Sequence, residues 1–257
     1  MGKFATDTAV QPAGDGTYTC QIGPDWWVML GPNGGYLAAI AVRALQAALD
    51  PGDRPLRSLT VHYMRAPQAG PATVQVVPER EGGSVTFARL RMIQDDQPFA
   101  TAVAVLARGR ESMTLDTAMA PDVPSPDEIR ALPDSDQAPP FARNFDYRPA
   151  TEPPVAGEAV TGGWLRLRDD EPLDAALVVA LCDSWFPAIF SVVPEPMAVP
   201  TLDLTVHVRD ALPRPPDWVL ARVTTRTVGD GLLEEDAELF GSDGRLLAQS
   251  RQLALAR

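Results

Sequence analysis

Short runs of strand-forming residues, bounded by Gly, Pro and Asp, recur along this chain in the same order twice. The first series starts at Leu59-Thr60-Val61-His62, breaks over residues 66–71, and resumes with an apolar-alternating run at 72–78. A Gly82-Gly83 turn, a run at 84–93, a polar turn at 94–97 and an apolar run at 99–107 complete it. The second starts at Leu204-Thr205-Val206-His207, breaks at 212–216 and continues through the run 218–225. The turn Gly229-Asp230-Gly231, the run 232–240, the turn 241–244 and the run 246–255 follow. Apolar and β-branched runs between such breakers predict strands, so each series predicts a four-stranded antiparallel meander. Ahead of each lies a helical stretch. Residues 34–49 are rich in Ala and Leu, contain no Pro and stop at Asp50-Pro51-Gly52. Residues 173–186 follow Pro172, and proline is favoured in a first helical turn. Both stretches are apolar nearly all round, which places them inside a core. Shorter strands are predicted before them at 17–22, 144–148 and 163–167.

The two tetrapeptides are identical, with an offset of 145 residues between Thr60 and Thr205, and the same order of runs and turns follows each. The chain therefore reads as a duplication. Each copy predicts a curved antiparallel sheet around a central helix, an α+β architecture of the hot-dog type, and the whole predicts a double hot-dog. The expected units are an N-terminal one at 1–110, a Pro/Asp-rich linker at 111–142 with one helical turn near 127–132, and a C-terminal unit at 143–257. Joining the two sheets edge to edge would remove an exposed strand edge from each.

Composition narrows the classes. With 257 residues and 45% hydrophobic side chains, the chain can bury a substantial core. A formal net charge of −12 repels nucleic-acid phosphates, while a small nucleotide-bearing ligand could still be held by local Arg side chains. No apolar run reaches the ~20 residues of a membrane span, and the start of the chain lacks the apolar core of a secretory signal. Cys20 and Cys182, the only cysteines, are far apart, which fits a reduced, cytoplasmic setting.

Common catalytic devices are absent: there is no GxSxG elbow, no P-loop and no GxGxxG after a strand. Two histidines are too few for an easily assembled zinc cluster or Ser-His-Asp triad, and no metal or organic cofactor is implied. Hydrolysis without these needs a carboxylate that activates water directly. Asp183 is the first candidate, the only charge within 175–186. Burial would raise its pKa toward the range useful to a base; the competing reading has it facing solvent or bonding backbone at a helix end. His62 and His207 occupy equivalent repeat positions, which fits a structural role. Cys182 has no histidine beside it in sequence and is a poor nucleophile candidate. Trp26, Trp27, Trp185 and Phe186 read as core or tunnel lining.

The segments Leu181-Cys182-Asp183-Ser184-Trp185-Phe186-Pro187, Pro200-Thr201-Leu202-Asp203-Leu204-Thr205-Val206-His207-Val208 and Leu246-Leu247-Ala248-Gln249-Ser250-Arg251-Gln252-Leu253-Ala254 resemble the type II acyl-CoA thioesterases. Gly31-Pro32-Asn33-Gly34-Gly35-Tyr36-Leu37-Ala38 and residues 58–67 are similar to that family's first half. The resemblance spans most of the chain except the linker. It implies hydrolysis of an acyl-CoA substrate, with Asp183, Thr201 and Gln252 jointly holding the attacking water. Two departures stand out: Ala66 separates Arg65 from Pro67, and Pro194-Glu195-Pro196 follows the second helix.

The copies have also diverged in complementary directions. The first helix has no acid, the first copy's last strand has no amide side chain, and the pair Gly34-Gly35 opens only the first helix. One shared site taking parts from each copy fits this. In it, the amides of Gly34, Gly35 or Tyr36 would polarise the thioester carbonyl, though Pro-Asn-Gly is also a plain turn signal. Rival readings are a hot-dog hydratase, a chemistry disfavoured by the lack of a helix histidine, and a non-catalytic acyl-CoA-binding or structural protein. Acyl chain length and further association into homo-oligomers stay open.

Overall fold

In the computed structural model the two strand series meet through their identical tetrapeptides. The structure describes residues 2–49, 52, 54–150, 158–193, 197–210 and 212–256. In chain order its strands are β1 Val10–Gly14, β2 Thr17–Ile22, β3 Leu56–Tyr63, β4 Gly70–Glu81, β5 Val85–Gln94, β6 Gln97–Ala107 and β7 Phe145–Pro149. They continue as β8 Ala159–Leu167, β9 Thr201–Val208, β10 Val219–Thr225, β11 Val228–Gly229, β12 Leu232–Gly241 and β13 Leu246–Leu255. The helices are α1 Lys3–Asp7, α2 Gly34–Leu49 and α3 Ala175–Leu181. β3 and β9 pair antiparallel with Leu59 opposite Val206, Thr60 opposite Thr205 and Val61 opposite Leu204. The repeated threonine thus faces its own copy, and the two hydroxyls lie 3.0 Å apart.

Around that seam the sheet is a palindrome. Its order is β1-β2-β4-β5-β6-β3-β9-β13-β12-β10-β8-β7, so each of these strands has its counterpart at the mirrored place, and the short β11 pairs with β12 off this path. This is the double hot-dog arrangement, with one correction to the strand order. β3 pairs with β6, not β4, so only β4-β5-β6 form a meander, and the second copy repeats this with β9 beside β13. The segment between β3 and β4, which contains Pro67, is too long for a tight hairpin. It carries the chain across the sheet and leaves the outer edge of β3 free for β9.

Period-two alternation sets the inner face. β5 buries Thr86, Ala88, Leu90 and Met92 while Phe87, Arg89 and Arg91 face outward. α2 matches its expected span; residues 35–42 are all buried. Asp50 and Pro51 of its expected stop lie outside the described residues. α3 is shorter than expected. Its N-cap Asp174 accepts the Leu177 N–H at 2.9 Å, and regular helix ends at Leu181. Beyond it the N–H groups of Asp183 and Ser184 bond back only three residues, to Ala180 and Leu181. Pro187 cannot donate to a further helical turn.

The helices run antiparallel and are joined at both ends: Arg43 of α2 pairs with Asp174 at 2.5 Å, and the start of α2 meets the segment after Leu181. α1 was not legible in the sequence. It buries Phe4 and sets the Ala5 N–H on Glu171 at 3.0 Å. The linker crosses the surface with a 3₁₀ turn at Pro126–Glu128 in place of a turn at 127–132. Its Ala118, Ala120, Val123 and Ile129 cover Trp164, Leu220 and Phe240 on the second copy's outer face. No helix among the described residues is long and apolar enough to cross a membrane.

If Thr60 and Thr205 pair across the seam, their effects on stability are coupled. A double-mutant cycle of Thr60→Val and Thr205→Val, read by urea unfolding, should return about 0.2–1 kcal/mol of coupling. Additive single effects would mean that the hydroxyl pair is not formed in solution.

Candidate active site at the junction of the two copies

The start of α2 is built by Asn33. Its Oδ1 accepts the Tyr36 N–H at 2.8 Å, an N-cap that satisfies one of the helix's unpaired donors. The same side chain turns its Nδ2 to the second copy, donating to the Asp183 carbonyl at 2.7 Å and to Asp183 Oδ2 at 2.9 Å. Gly35 N–H also donates to Oδ2, at 2.9 Å. The positive end of α2 therefore faces a carboxylate. Only glycine permits this approach. A Cβ at Gly35 would lie 2.5 Å from the Ala180 carbonyl oxygen, and one at Gly34 would lie 3.0 Å from Asp183 Oδ2. Tyr63 closes the same corner, its hydroxyl donating to the Gly34 carbonyl at 2.7 Å.

Strands of the second copy supply the other wall. Gln252 of β13 faces inward and is 7% exposed. Its amide nitrogen faces Asp183 and donates to Glu235 Oε1 at 2.9 Å, while its Oε1 accepts the Thr201 hydroxyl at 2.9 Å. A carboxylate on the nitrogen and a hydroxyl on the oxygen fix the amide's orientation. Glu235 of β12, 5% exposed, takes the Ala188 N–H on its Oε2 at 2.7 Å. Asp183 is thus closely surrounded: the residue as a whole is half-buried, and its carboxyl is desolvated.

Electrostatics follow from this enclosure. Desolvation raises the Asp183 pKa from 3.8 to about 6, against the opposing pull of Gly35, Gln252, Asn33 and Gly34. Desolvation raises Glu235 from 4.5 to about 7; Ala188 and Gln252 oppose it, and the nearby Asp183 and Glu234 charges add to it. Burial also pushes the Tyr63 hydroxyl well above its ordinary range and the Cys182 thiol up to about 12, so both stay protonated near neutral pH.

The structure brings Asp183, Thr201 and Gln252 into one network, with Gly34 and Gly35 against it. Asp183 lies in the turn beyond α3 and not within a helix. The expected oxyanion donors are otherwise engaged: Gly35 N–H holds Asp183, Tyr36 N–H holds Asn33, and Gly34 N–H also faces the Asp183 carboxylate. The cause is the closeness of the helices, which brings the carboxylate onto the helix start. His62 and His207 are exposed on the seam's outer face, away from the buried core, so they have no shared interior role. Trp26, stacked on Tyr36 at 5.0 Å, and Trp185 are buried, Trp27 is partly buried and Phe186 is exposed. Ala66 packs on Gly31; Pro194-Glu195-Pro196 lie outside the described residues.

Register shows that the network exists once. Leu204 and Leu59 are equivalent in the repeat; Gln252 pairs with Leu204 and Glu235, and in the first copy Ala104 pairs with Leu59 and Ala88. Gln252 and Glu235 thus replace two buried alanines, and Thr201 replaces Leu56. Sequence reasoning passed over Asn33, Tyr63 and Glu235. For Glu235 a signal existed: alternation puts it on the inward face with Leu233, Ala237 and Leu239. A polar groove of about 320 Å³ between Arg222, Asp236 and Arg251 shares none of the network's side chains. Among the described residues no group of three or more His, Cys, Asp or Glu could hold a metal ion.

Two outcomes test this geometry. Gly35→Ala forces the helices apart and should cost about 1–3 kcal/mol in urea unfolding; an unchanged midpoint would contradict the close approach. Acids with raised folded-state pKa values stabilise fully below their unfolded values, and that stability is lost as pH rises through the folded values. For Asp183 and Glu235 the window runs from about pH 4 to 7. Asp183→Asn removes one such burden, so its stability relative to the native protein should increase as pH rises from 4 to 8. A gap independent of pH would show an unperturbed Asp183.

Comparison with known proteins agrees with this architecture. The family model described as the acyl-CoA thioesterase C-terminal domain matches residues 120–256, and the corresponding N-terminal domain matches residues 23–107. Among curated proteins no sequence matches. A hot-dog protein of unknown function from Alicyclobacillus acidocaldarius is similar over 100% of this chain and 98% of its own, at 26% identity and a TM-score of 0.91. A candidate thioesterase II from Thermobifida fusca has 25% identity over the same shares, with a TM-score of 0.88. An acyl-CoA thioesterase II from Mycobacterium marinum shares the fold, at 19% identity over 99% of this chain and 98% of its own, with a TM-score of 0.81. With one matched domain in each copy of a palindromic sheet, the chain belongs to the acyl-CoA thioesterase family.

Proposed function

We propose that the protein hydrolyses acyl-CoA thioesters with a water held by Asp183, Thr201 and Gln252. The observation that carries this is the bonded pair Thr201–Gln252 set against Asp183, a desolvated carboxyl with raised pKa held by the start of α2. The Thr201 hydroxyl proton is committed to Gln252, so its lone pairs are left to accept from water. Asp183 is then the proton acceptor. Water attacks the thioester carbonyl, a C–O bond forms, and the water proton passes to Asp183. As the carboxylate loses its charge, its hold on the α2 amides weakens, and the Gly34 and Gly35 N–H groups turn to the developing oxyanion. Collapse breaks the C–S bond, and the CoA thiolate recovers the proton. The chemistry needs no cofactor.

Apolar side chains flank the network. Val28, Met29 and Leu30 are exposed just before Asn33, and Phe186 three residues after Asp183. They offer an acyl chain an apolar surface. The binding-only alternative differs in one respect, since it has no use for a basic Asp183.

The test is release of free thiol from acyl-CoAs ranging from acetyl to palmitoyl, with phenylacetyl included. Asp183→Asn should lose about 10²–10⁴-fold in kcat while still binding substrate. For the native enzyme kcat/KM should rise with pH through about 6 as Asp183 deprotonates. No release from any substrate by the folded protein would support the binding module instead.

A further inference from the structure

We propose that Glu235 is a positioning residue for the water-activating group: it fixes the orientation of the Gln252 amide and anchors the segment that carries Asp183. The inference rests on the hydrolytic reading above and assigns a second carboxylate to the same site.

Three features of the geometry carry it. Glu235 sits on the inward face of β12, between Leu233 and Ala237, where its pseudo-equivalent is Ala88. A buried carboxylate there is costly, and both its oxygens are occupied by donors: Gln252 Nε2–H on one and the Ala188 N–H on the other. An acceptor-only partner forces Gln252 to present its nitrogen to Glu235, which turns its Oε1 to the Thr201 hydroxyl. If the amide rotated, its NH₂ would meet Thr201 and its oxygen would face a carboxylate. Finally, Ala188 begins a 3₁₀ turn five residues after Asp183. One carboxylate thus anchors both the orienting amide and the segment that carries the base.

The two acids are linked through that amide. Asp183 faces Glu235 across Gln252, and Glu234 adjoins Glu235 along the strand; the Asp183 and Glu234 charges raise the Glu235 pKa. Tyr63, itself near Asp203, and Cys182 also border Asp183, and both are held protonated by burial.

Glu235→Gln preserves volume, removes the charge and leaves one of the two donors facing an NH₂ group. Its kcat should fall up to about 100-fold, as for a misplaced catalytic constellation, with KM changed little. Glu235→Asp keeps the charge but cannot reach both donors, so it should lose kcat as well. Because Glu235 acts through the amide that meets Thr201, Thr201→Val made in the Glu235→Gln background should add little further loss in kcat. Losses that simply multiply would reduce Glu235 to packing and overturn the proposal. If Glu235→Gln does not fold, native kcat in Glu235→Asp overturns it equally. Asp183→Asn measured alongside separates the two readings: full turnover in that variant removes the hydrolytic site itself, while its inactivity leaves that site standing even where Glu235 fails.

Discussion

The fold is organised around a carboxylate that has been taken out of bulk water and handed to a helix start. Asp183 would be costly in this interior without donors, and it is met by Asn33 and Gly35 from one copy and Gln252 from the other. Those donors reach it only if α2 and α3 nearly touch. That closeness is what glycine at 34 and 35 permits, since a side chain at either position would press on Asp183 or on the Ala180 carbonyl. The Arg43–Asp174 pair at the opposite end keeps the helices aligned, so the contact at the site does not depend on a single point. Desolvation still outweighs the donors, which leaves the carboxyl more basic than a surface aspartate.

Why α3 stops early belongs to the same constraint. A helix continued to residue 186 would carry Asp183 on its own cylinder, with its backbone N–H in the helix ladder. Ending at Leu181 lets the chain tighten into three-residue turns and brings the Asp183 carbonyl and carboxylate together onto Asn33. The segment then passes through Trp185, whose indole N–H bonds Thr161 at 3.0 Å, to Ala188 on Glu235. These bonds at both ends of the turn hold the base on an irregular backbone.

The strands, α2 and the duplication were legible in the sequence because they rest on local periodicity and on Gly, Pro and Asp breakers. The partner of β3 was not, because whether a strand joins the next one or the one after next depends on contacts made across the molecule. The end of α3 was hidden because Cys182-Asp183-Ser184-Trp185-Phe186 is nearly as apolar as the helix before it, and Pro187 lies several residues past the true end. Asn33 was read as a turn residue, and the same chemistry serves an N-cap. Glu235 was concealed by its neighbours: Glu234-Glu235-Asp236 looks like a solvated acidic run until the period of two separates its inward member from the outward pair. The glycine pair was correctly placed at a helix start, but which acceptor those amides meet depends on a residue about 150 positions away.

Fusion of the two copies makes this asymmetry affordable. In a dimer of identical chains, each substitution appears twice, at positions related by the two-fold axis. A glutamate in place of Ala88, a glutamine in place of Ala104 and an aspartate near the helix end would then bury two full sets of charge in one core. The fused chain keeps the symmetric seam, with Thr60 facing Thr205, while its two halves vary independently. The first copy retains Leu56, Ala88 and Ala104 and supplies the helix start; the second carries Thr201, Glu235 and Gln252 and supplies the base. Because the desolvation cost is borne once, the apolar half can act as the rigid wall against which the polar half is held.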